Sequence, residues 1–497
     1  MFGLMAILAR NDALTPIETL DPPRAVVKGL RAVSRRRQGR LGEKFARALE
    51  AAGPTFIKLG QALSTRADVL GDDFAADLAH LRDRLPPFEG TVARRIIEEE
   101  LQKPADVLFR RFDDVPVAAA SIAQVHFAET SDGRPVAVKV LRPGVEGAFR
   151  RDLDLFFWLA ERIEWLRPDL KRLRFVDSVS LFAESVSHEM DLRMEAAAAS
   201  ELTENFASDG SLHVPAVDWS RTGQRVLTIE RVSGLPINAR EAIIAAGHRP
   251  ERILTIAAEV IFKQVFRDGF FHGDLHPGNL FIQPDGRLAV VDFGIMGRLD
   301  RATRRHLAQL LLAFLNRDYK AAAHVHFAAG WVSRHHSKAS FAQALRSIGE
   351  PIFDKPQHEI SIARLLSQLF RVTETFGMET QPQLLLLQKT MLVAEGSGRA
   401  LCPEINMWAL ARPMMSEWMQ EELRLDVRLR EAAEVVEEAA GKLVEFGRTL
   451  EKGSGWLASG AVRLHQDDVK LLRLTRAGFT WLPWLVALVA VVYAITR

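Results

Sequence analysis

Asp274, Asn279 and Asp292 are the residues whose types and spacing point most directly to chemistry. An acid is followed five positions later by an amide and thirteen beyond that by a second acid. Carboxylate and amide oxygens are the ligands that a hard cation such as Mg2+ prefers. Asn279 and Asp292 are therefore candidate metal ligands, and Asp274 a candidate general base on a loop. Leu280, Phe281 and Ile282 read as one short buried strand, and Leu288, Ala289, Val290 and Val291 as another. Pro284, Asp285 and Gly286 supply the turn between them. One hairpin would then set the loop of Asp274 beside the Asp292-Phe293-Gly294 triplet. The triplet alone is a weak signal, because an ordinary loop with solvated acids can carry it. Both segments in this order and spacing make a strong one.

The elements that must position these groups lie upstream. From Val115 the pattern changes from helical to extended: Val117 to Phe127 reads as a strand, a tight loop of small residues and a second strand. Ser131, Asp132 and Gly133 turn the chain. The third strand runs from Pro135 to Leu141 and carries Lys139 among apolar neighbours. A lone strand lysine is more often an edge residue. In this order, ahead of the loop of Asp274, it is a candidate for holding nucleotide phosphates. Residues 146–167 read as a charged helix with an aromatic face, and residues 176–206 as one long helix. The second holds Glu189, Asp191 and Glu195. Either glutamate could pair with Lys139; Glu195 is preferred, with Glu189 and Asp191 then facing the helix of Lys58. The strand from Arg225 through Glu230, leaving toward Gly234, fits an inter-lobe hinge beside a nucleotide base. Residues 251–268 read as an apolar helix ahead of the loop.

This succession is the order of a protein-kinase nucleotide lobe and catalytic loop, with two departures. Ala118, Ala119, Ala120 and Ser121 stand where a kinase loop has glycines, and a Cβ limits how closely backbone N–H groups approach phosphate. After Gly294 the chain has few residues before Asp300, an N-cap residue by type, and a helix expected from about Arg301 to Leu315. That leaves little room for a peptide-gripping segment and favours an ATPase or small-molecule kinase.

The rest of the chain frames this unit. Residues 41–112 read as helices; Pro54 opens one that carries Lys58, Gln61 and Thr65 near one face. Pro382 suits a helix first turn, Leu384 to Leu387 read as buried, and Glu395 to Arg399 as an interruption. Residues 414–452 read as charged amphipathic helix. Net charge is +2, so the molecule as a whole is no polyanion binder. Residues 24–40 nevertheless hold Arg24, Lys28, Arg31, Arg35, Arg36, Arg37 and Arg40 without an acid, which suits an anionic membrane surface. A nucleic-acid partner would rest on that run alone and is not adopted. The single cysteine, Cys402, excludes an intrachain disulfide. Residues 479–495 are almost wholly apolar, with Trp481 and Trp484 at one end, Tyr493 at the other and Lys470, Arg473 and Arg476 before them. They read as a membrane helix with its basic side in the cytoplasm; a buried or dimerising helix is the alternative. The boundaries expected are a basic segment at 1–40, a helical extension at 41–112, a nucleotide-binding lobe at 113–232, a helical lobe at 233–410, charged helix at 411–476 and an anchor at 477–497.

On Lys58-Leu59-Gly60-Gln61, the alanine loop, Lys139, Glu189-Met190-Asp191, the loop from Asp274 to Asn279 and Asp292, the chain resembles the UbiB family of atypical kinases over roughly residues 50–400. The resemblance implies an α+β, protein-kinase-like two-lobed fold with an N-terminal helical extension and a C-terminal membrane helix. It implies ATP (or ADP) and Mg2+ as cofactors and a role in ubiquinone biosynthesis. It also implies that the Lys58–Gln61 helix, with Glu189 and Asp191, covers the site against protein substrates. Ala118, Ala119, Ala120 and Ser121 would alter nucleotide preference. Membrane lipids, polyprenyl-phenol intermediates and other enzymes of the pathway are the implied partners, at the cytoplasmic face of a bacterial-type inner membrane; a homodimer is left open. The sequence carries no flavin fingerprint and no evident iron triad, so oxygen chemistry is not expected.

Overall fold

The computed structural model describes residues 2–14, 38–64, 71–79, 81, 85–166, 175–350 and 382–403, with single positions near 372–378 and 413–418. The chain divides into two compact units, Met1–Ala411 and Arg412–Arg497; all elements below belong to the first. The expected membrane helix, most of residues 414–452 and most of the basic run lie outside the described residues. Among the described residues no helix is long and apolar enough to cross a membrane.

Helix α1 (Phe2–Arg10) leads to α2 (Leu41–Ala52), α3 (Pro54–Ser64) and α4 (Asp72–Ala79). Pro54 is the first residue of α3, where its missing N–H costs nothing. Leu49, Phe56, Leu78 and Leu81 form a small core with Phe156, and Phe56 meets Phe156 edge-on at 5.2 Å. Helices α5 (Gly90–Leu101) and α6 (Ala105–Leu108) follow. Among the described residues the helical reading of 41–112 holds for α2 to α6; Phe109–Phe112 form strand β1, because Phe109 and Phe112 bury against the sheet that follows.

That sheet is antiparallel: β2 (Ala118–Ala119), β3 (Ala123–Thr130), β4 (Pro135–Leu141) and, later in the chain, a strand at Val226–Glu230. Alternation along β4 decides what faces where. Val136, Val138 and Val140 are buried against Ala93, Ile96 and Ile97 of α5. Lys139 therefore points to the opposite face, where Leu141 packs under the helices that follow.

Those helices are α7 (Val145–Leu166), α8 (Phe175–Glu189) and α9 (Leu192–Asn205). The single helix expected over 176–206 is thus broken. Asp191 adopts an extended conformation (φ −120°, ψ 94°) and its carboxylate accepts from the Arg193 N–H, so it caps α9. Leu192 and Ala196 pack on Leu141 and Leu227, which puts Glu195, one turn from Leu192, on the same buried face.

Strand β5 (Leu212–His213) and the sheet's last strand, β6 (Val226–Glu230), lead through β7 (Leu235–Pro236) into the helical lobe. There α10 (Arg240–Ala245) and α11 (Pro250–Phe262) come first. The helix expected to continue to 268 changes to a π-turn over Lys263–Asp268, a device that re-aims side chains near functional sites. Strands β8 (Phe270–His272), β9 (Leu280–Ile282), β10 (Leu288–Val290) and β11 (Met296–Arg298) follow. β9 and β10 pair antiparallel as the expected hairpin, with Leu288 opposite Ile282. β11 pairs with β8, Met296 opposite His272, so the short stretch after Gly294 is spent on strand. Asp300 caps α12 (Arg301–Leu315), accepting from Thr303 N–H at 2.7 Å. Helices α13 (Tyr319–Ala328), α14 (Lys338–Gly349) and α15 (Pro382–Leu401) complete the unit. The interruption expected at Glu395 to Arg399 does not occur: α15 runs through it. The Ser397 hydroxyl bonds back to Val393 C=O at 3.0 Å, and Arg399 reaches Glu395 one turn earlier.

Candidate active site

Lys139 is where the two lobes meet chemically. Its ammonium donates to both carboxylate oxygens of Glu195 at 2.9 Å and to Asp292 Oδ1 at 3.0 Å. The strand amine and the distant carboxylate therefore share one site, and Glu195, not Glu189, is the helix partner. Burial acts to lower the Lys139 pKa, but the two carboxylates more than offset it and hold the group well above its ordinary value. For Asp292 burial acts the other way; half of its side chain is open, and the Lys139 ammonium keeps the carboxyl well below the usual range. Glu195, 6% exposed, is pushed up to about 7 by burial and by the nearby Asp292 charge, against the pull of Lys139. Two carboxylates around one cation carry a net negative charge, and their protonation is shared.

Three contacts hold Asp292 in place. It has φ +65°, a left-handed conformation that is unusual for a non-glycine residue. Strain of this kind, of order 1–3 kcal/mol, persists only where the surroundings over-determine it. The Phe293 N–H donates to Glu195 Oε1 at 3.2 Å, and Gly294 N–H to Asp292 Oδ1 at 3.4 Å. The third contact is His272: its Nδ1 accepts the Asp274 N–H at 3.0 Å, so its Nε2 carries the proton and donates to Asp292 C=O at 2.6 Å. Burial keeps this imidazole below its ordinary pKa, that is, neutral. His272 thus ties the loop of Asp274 to the metal-type aspartate. Its place two residues before Asp274 was the only available signal, and sequence reasoning assigned it no role.

Asp274 is anchored through its main chain. Its C=O accepts from Asn279 Nδ2 at 3.1 Å and His276 N–H at 2.8 Å. With its nitrogen so engaged, Asn279 has its amide oxygen as the atom that could hold a cation. Asn279 and Asp292 flank the β9–β10 hairpin as the spacing required. Two oxygen donors, one of them a firmly ionised carboxylate, fit an ion such as Mg2+ that takes its remaining ligands from phosphates and water. Among the described residues no cluster of three or more His, Cys, Asp or Glu forms an all-protein metal cage.

The Lys58 helix also reaches this region. Lys58 Nζ lies 2.7 Å from Glu189, both largely buried, and its charge helps to keep the Asp292 carboxyl ionised. A Cβ at Gly60 would overlap the terminal methyls of Leu49 and Leu81, so the glycine of the Lys-x-Gly-Gln motif lets the helix pack closely on them. Gln61 stands part-buried on the same helix, while Thr65 lies outside the described residues. Asp191 does not join Lys58: its capping role turns its carboxylate to Arg193, at 2.6 Å. Ala118 and Ala119 form β2, paired with Val125 and Gln124. Beyond it Ala120 N–H bonds to Ala123 C=O at 2.8 Å, and Arg142 Nε donates to Ala120 C=O at 2.9 Å. Ser121 is fully buried. Glu230 is not drawn toward Lys139; its carboxylate accepts from Ala216 N–H at 3.3 Å and faces His213. Sequence reasoning missed Lys389, on α15, whose ammonium lies 3.4 Å from Asp274 Oδ1. No local pattern could have found a partner so distant in the chain.

Comparison with known proteins bears on the family. The ABC1 atypical kinase-like domain matches residues 80–326, and the UbiB helical domain matches residues 345–406. "Probable protein kinase UbiB" of Marinobacter nauticus is 43% identical over 386 residues, 77% of this chain and 71% of that one. Its namesake from Azotobacter vinelandii is 40% identical over 434 residues, 86% of this chain and 81% of that one. A solved Mycobacterium tuberculosis structure, a complex of Rv3197 with erythromycin, has 29% identity and a TM-score of 0.48 over 71% of this chain and 90% of that one. With a kinase-like α+β unit followed by a helical domain, the chain belongs to the UbiB family of ABC1-type atypical kinases.

Proposed function

We propose that this protein is a membrane-associated, Mg–ATP-dependent atypical kinase or ATPase that serves ubiquinone biosynthesis by acting on, or extracting, polyprenyl-phenol intermediates. The observation that carries the reading is the convergence of Lys139, Glu195 and Asp292 on one point. In this reading Lys139 exchanges part of its carboxylate contacts for the phosphates, and Glu195 keeps the ammonium aimed. Asn279 and Asp292 hold Mg2+, which when bound supplies charge neutralisation at the phosphate oxygens. Asp274 orients water or a lipid hydroxyl and takes up its proton as the new P–O bond forms and the bond to ADP breaks. Most of the rate comes from positioning and electrostatics. Lys58, Gln61 and Glu189 keep bulky protein acceptors out, and the short segment after Gly294 gives a peptide little to bind.

The test is nucleotide turnover by purified protein. Asp292→Asn is expected to lower Mg2+-dependent turnover by about 100-fold or more; unchanged turnover removes the metal role. Adding vesicles that carry candidate polyprenyl-phenols is expected to raise turnover with one of them, which identifies the lipid class. A second reading is a nucleotide-switched scaffold for other pathway enzymes. It is favoured by the pairing of Lys58, Lys139 and Lys389 with Glu189, Glu195 and Asp274, a self-satisfied resting arrangement. Nucleotide binding without hydrolysis, with or without membranes, selects that reading.

A further inference from the structure

We propose that Lys389, carried by the helical domain, is a positioning residue for Asp274, so that the kinase-like domain's own candidate base is correctly set only when α15 is docked. The inference rests on the Mg–ATP reading and adds a residue to it. The loop Asp274-Leu275-His276-Pro277-Gly278-Asn279 contains no lysine or arginine. The cation beside its carboxylate comes instead from α15, with Lys389 Nζ 3.4 Å from Asp274 Oδ1.

The approach of α15 is built into both partners. The Thr390 hydroxyl, fully buried, donates to Leu386 C=O at 2.9 Å and lies 3.4 Å from His272 C=O, a longer contact sharing the same proton. Leu386, one turn earlier on the same helix face, closes on Gly273: a Cβ there would come within 2.9 Å of the leucine and 2.7 Å of Ile295. Glycine at 273 is therefore what lets the helix come this near. His272 C=O, Gly273 and Asp274 are three consecutive points of the catalytic loop, and each meets α15.

The backbone of Asp274 is already pinned by His272, His276 and Asn279. What remains to be set is the direction of its side chain, and that is the part Lys389 touches. The pair is partly open, with side chains 37% and 30% exposed. Ion pairs this exposed contribute little to folding, so the contact is not needed for stability. A cation here also offsets the repulsion between the Asp274 carboxylate and an incoming phosphate chain. Lys389 meets Asp274 and not the Lys139–Glu195–Asp292 cluster that would hold the phosphates, so its main effect falls on turnover.

The test uses the full chain with Mg–ATP, measuring kcat, KM, nucleotide binding and thermal midpoint for Lys389→Met, Lys389→Arg, Asp274→Asn and the Asp274→Asn/Lys389→Met pair. Lys389→Met is expected to lower kcat by about tenfold or more with KM within about twofold and the midpoint nearly unchanged. Lys389→Arg is expected to recover most of kcat. In the Asp274→Asn background, Lys389→Met is expected to cost less than about twofold, since the two act as a unit. Unchanged kcat in Lys389→Met, a full additional loss in the double variant, or a loss that follows the thermal midpoint overturns the inference while leaving the nucleotide reading intact. A wild-type protein with no Mg2+-dependent turnover overturns both.

Discussion

The contacts of Lys139 and Lys58 differ in how they are supported. Lys139 sits on the central strand of a packed sheet, between Val138 and Val140, both fully buried, and its partner Glu195 is on a helix sealed to that sheet through Leu192 and Ala196. Lys58 belongs to a helix of the N-terminal extension, packed on Phe156 of α7 rather than on the sheet, and it meets Glu189 at the last residue of α8. One ion cluster is held by the core of the nucleotide lobe. The other is a clasp between separate layers. A cluster held by a core keeps its geometry whatever its ligands do, whereas a clasp can part without unfolding what lies on either side.

The strongest way to break this contrast is Lys139→Met. It leaves Glu195 and Asp292 facing each other without a cation, and uncompensated buried charge costs about 3–5 kcal/mol. Nucleotide turnover is expected to vanish and the urea midpoint to fall well below that of any other variant named here. Lys58→Met breaks one largely buried pair between helices that can part and let water reach Glu189, and a smaller loss of about 1–2 kcal/mol is expected. If chemical denaturation ranks the two variants equally, the distinction between core and clasp is wrong. Asp191→Ala sharpens it further: loss of the α9 cap should cost about 1 kcal/mol. It should also loosen Glu195 before it affects Lys58, which hydrogen exchange at the Phe293 amide would detect. The smallest expected effect is a slope with pH. His272 is held neutral when folded, so below its unfolded pKa of about 6.5 the unfolded chain binds a proton that the folded chain does not. Stability should therefore decline as pH drops through that value, and His272→Gln should flatten the decline.

Much of this architecture was legible because it rests on local rules. Alternation along β4 aimed Lys139 away from the valine core. Pro54 and Asp300 marked helix starts by backbone chemistry alone, and the turn at Pro284 to Gly286 required the hairpin between Asn279 and Asp292. What could not be read depended on competition between local and distant demands. Asp191 looks like one more acid on a long helix, yet it ends one helix and caps the next, and that break is what sends Glu189 and Glu195 to different lysines. Glu395 to Arg399 contain two glycines that weaken a helix in isolation, but packing of Leu401 and Cys402 into the helical lobe carries α15 through. Glu230 fitted a hinge by position, while its carboxylate finds Ala216. The Lys389 contact joins residues more than a hundred positions apart and has no signature in either neighbourhood.

The strand β11 has a bearing on control. Between Gly294 and Asp300 the chain reads Ile295, Met296, Gly297, Arg298 and Leu299, with no serine, threonine or tyrosine. A covalent phosphate cannot be written onto this stretch, and its pairing with β8 leaves no slack for it to swing. The segment after Asp-Phe-Gly therefore offers no hydroxyl on which a covalent switch could be set.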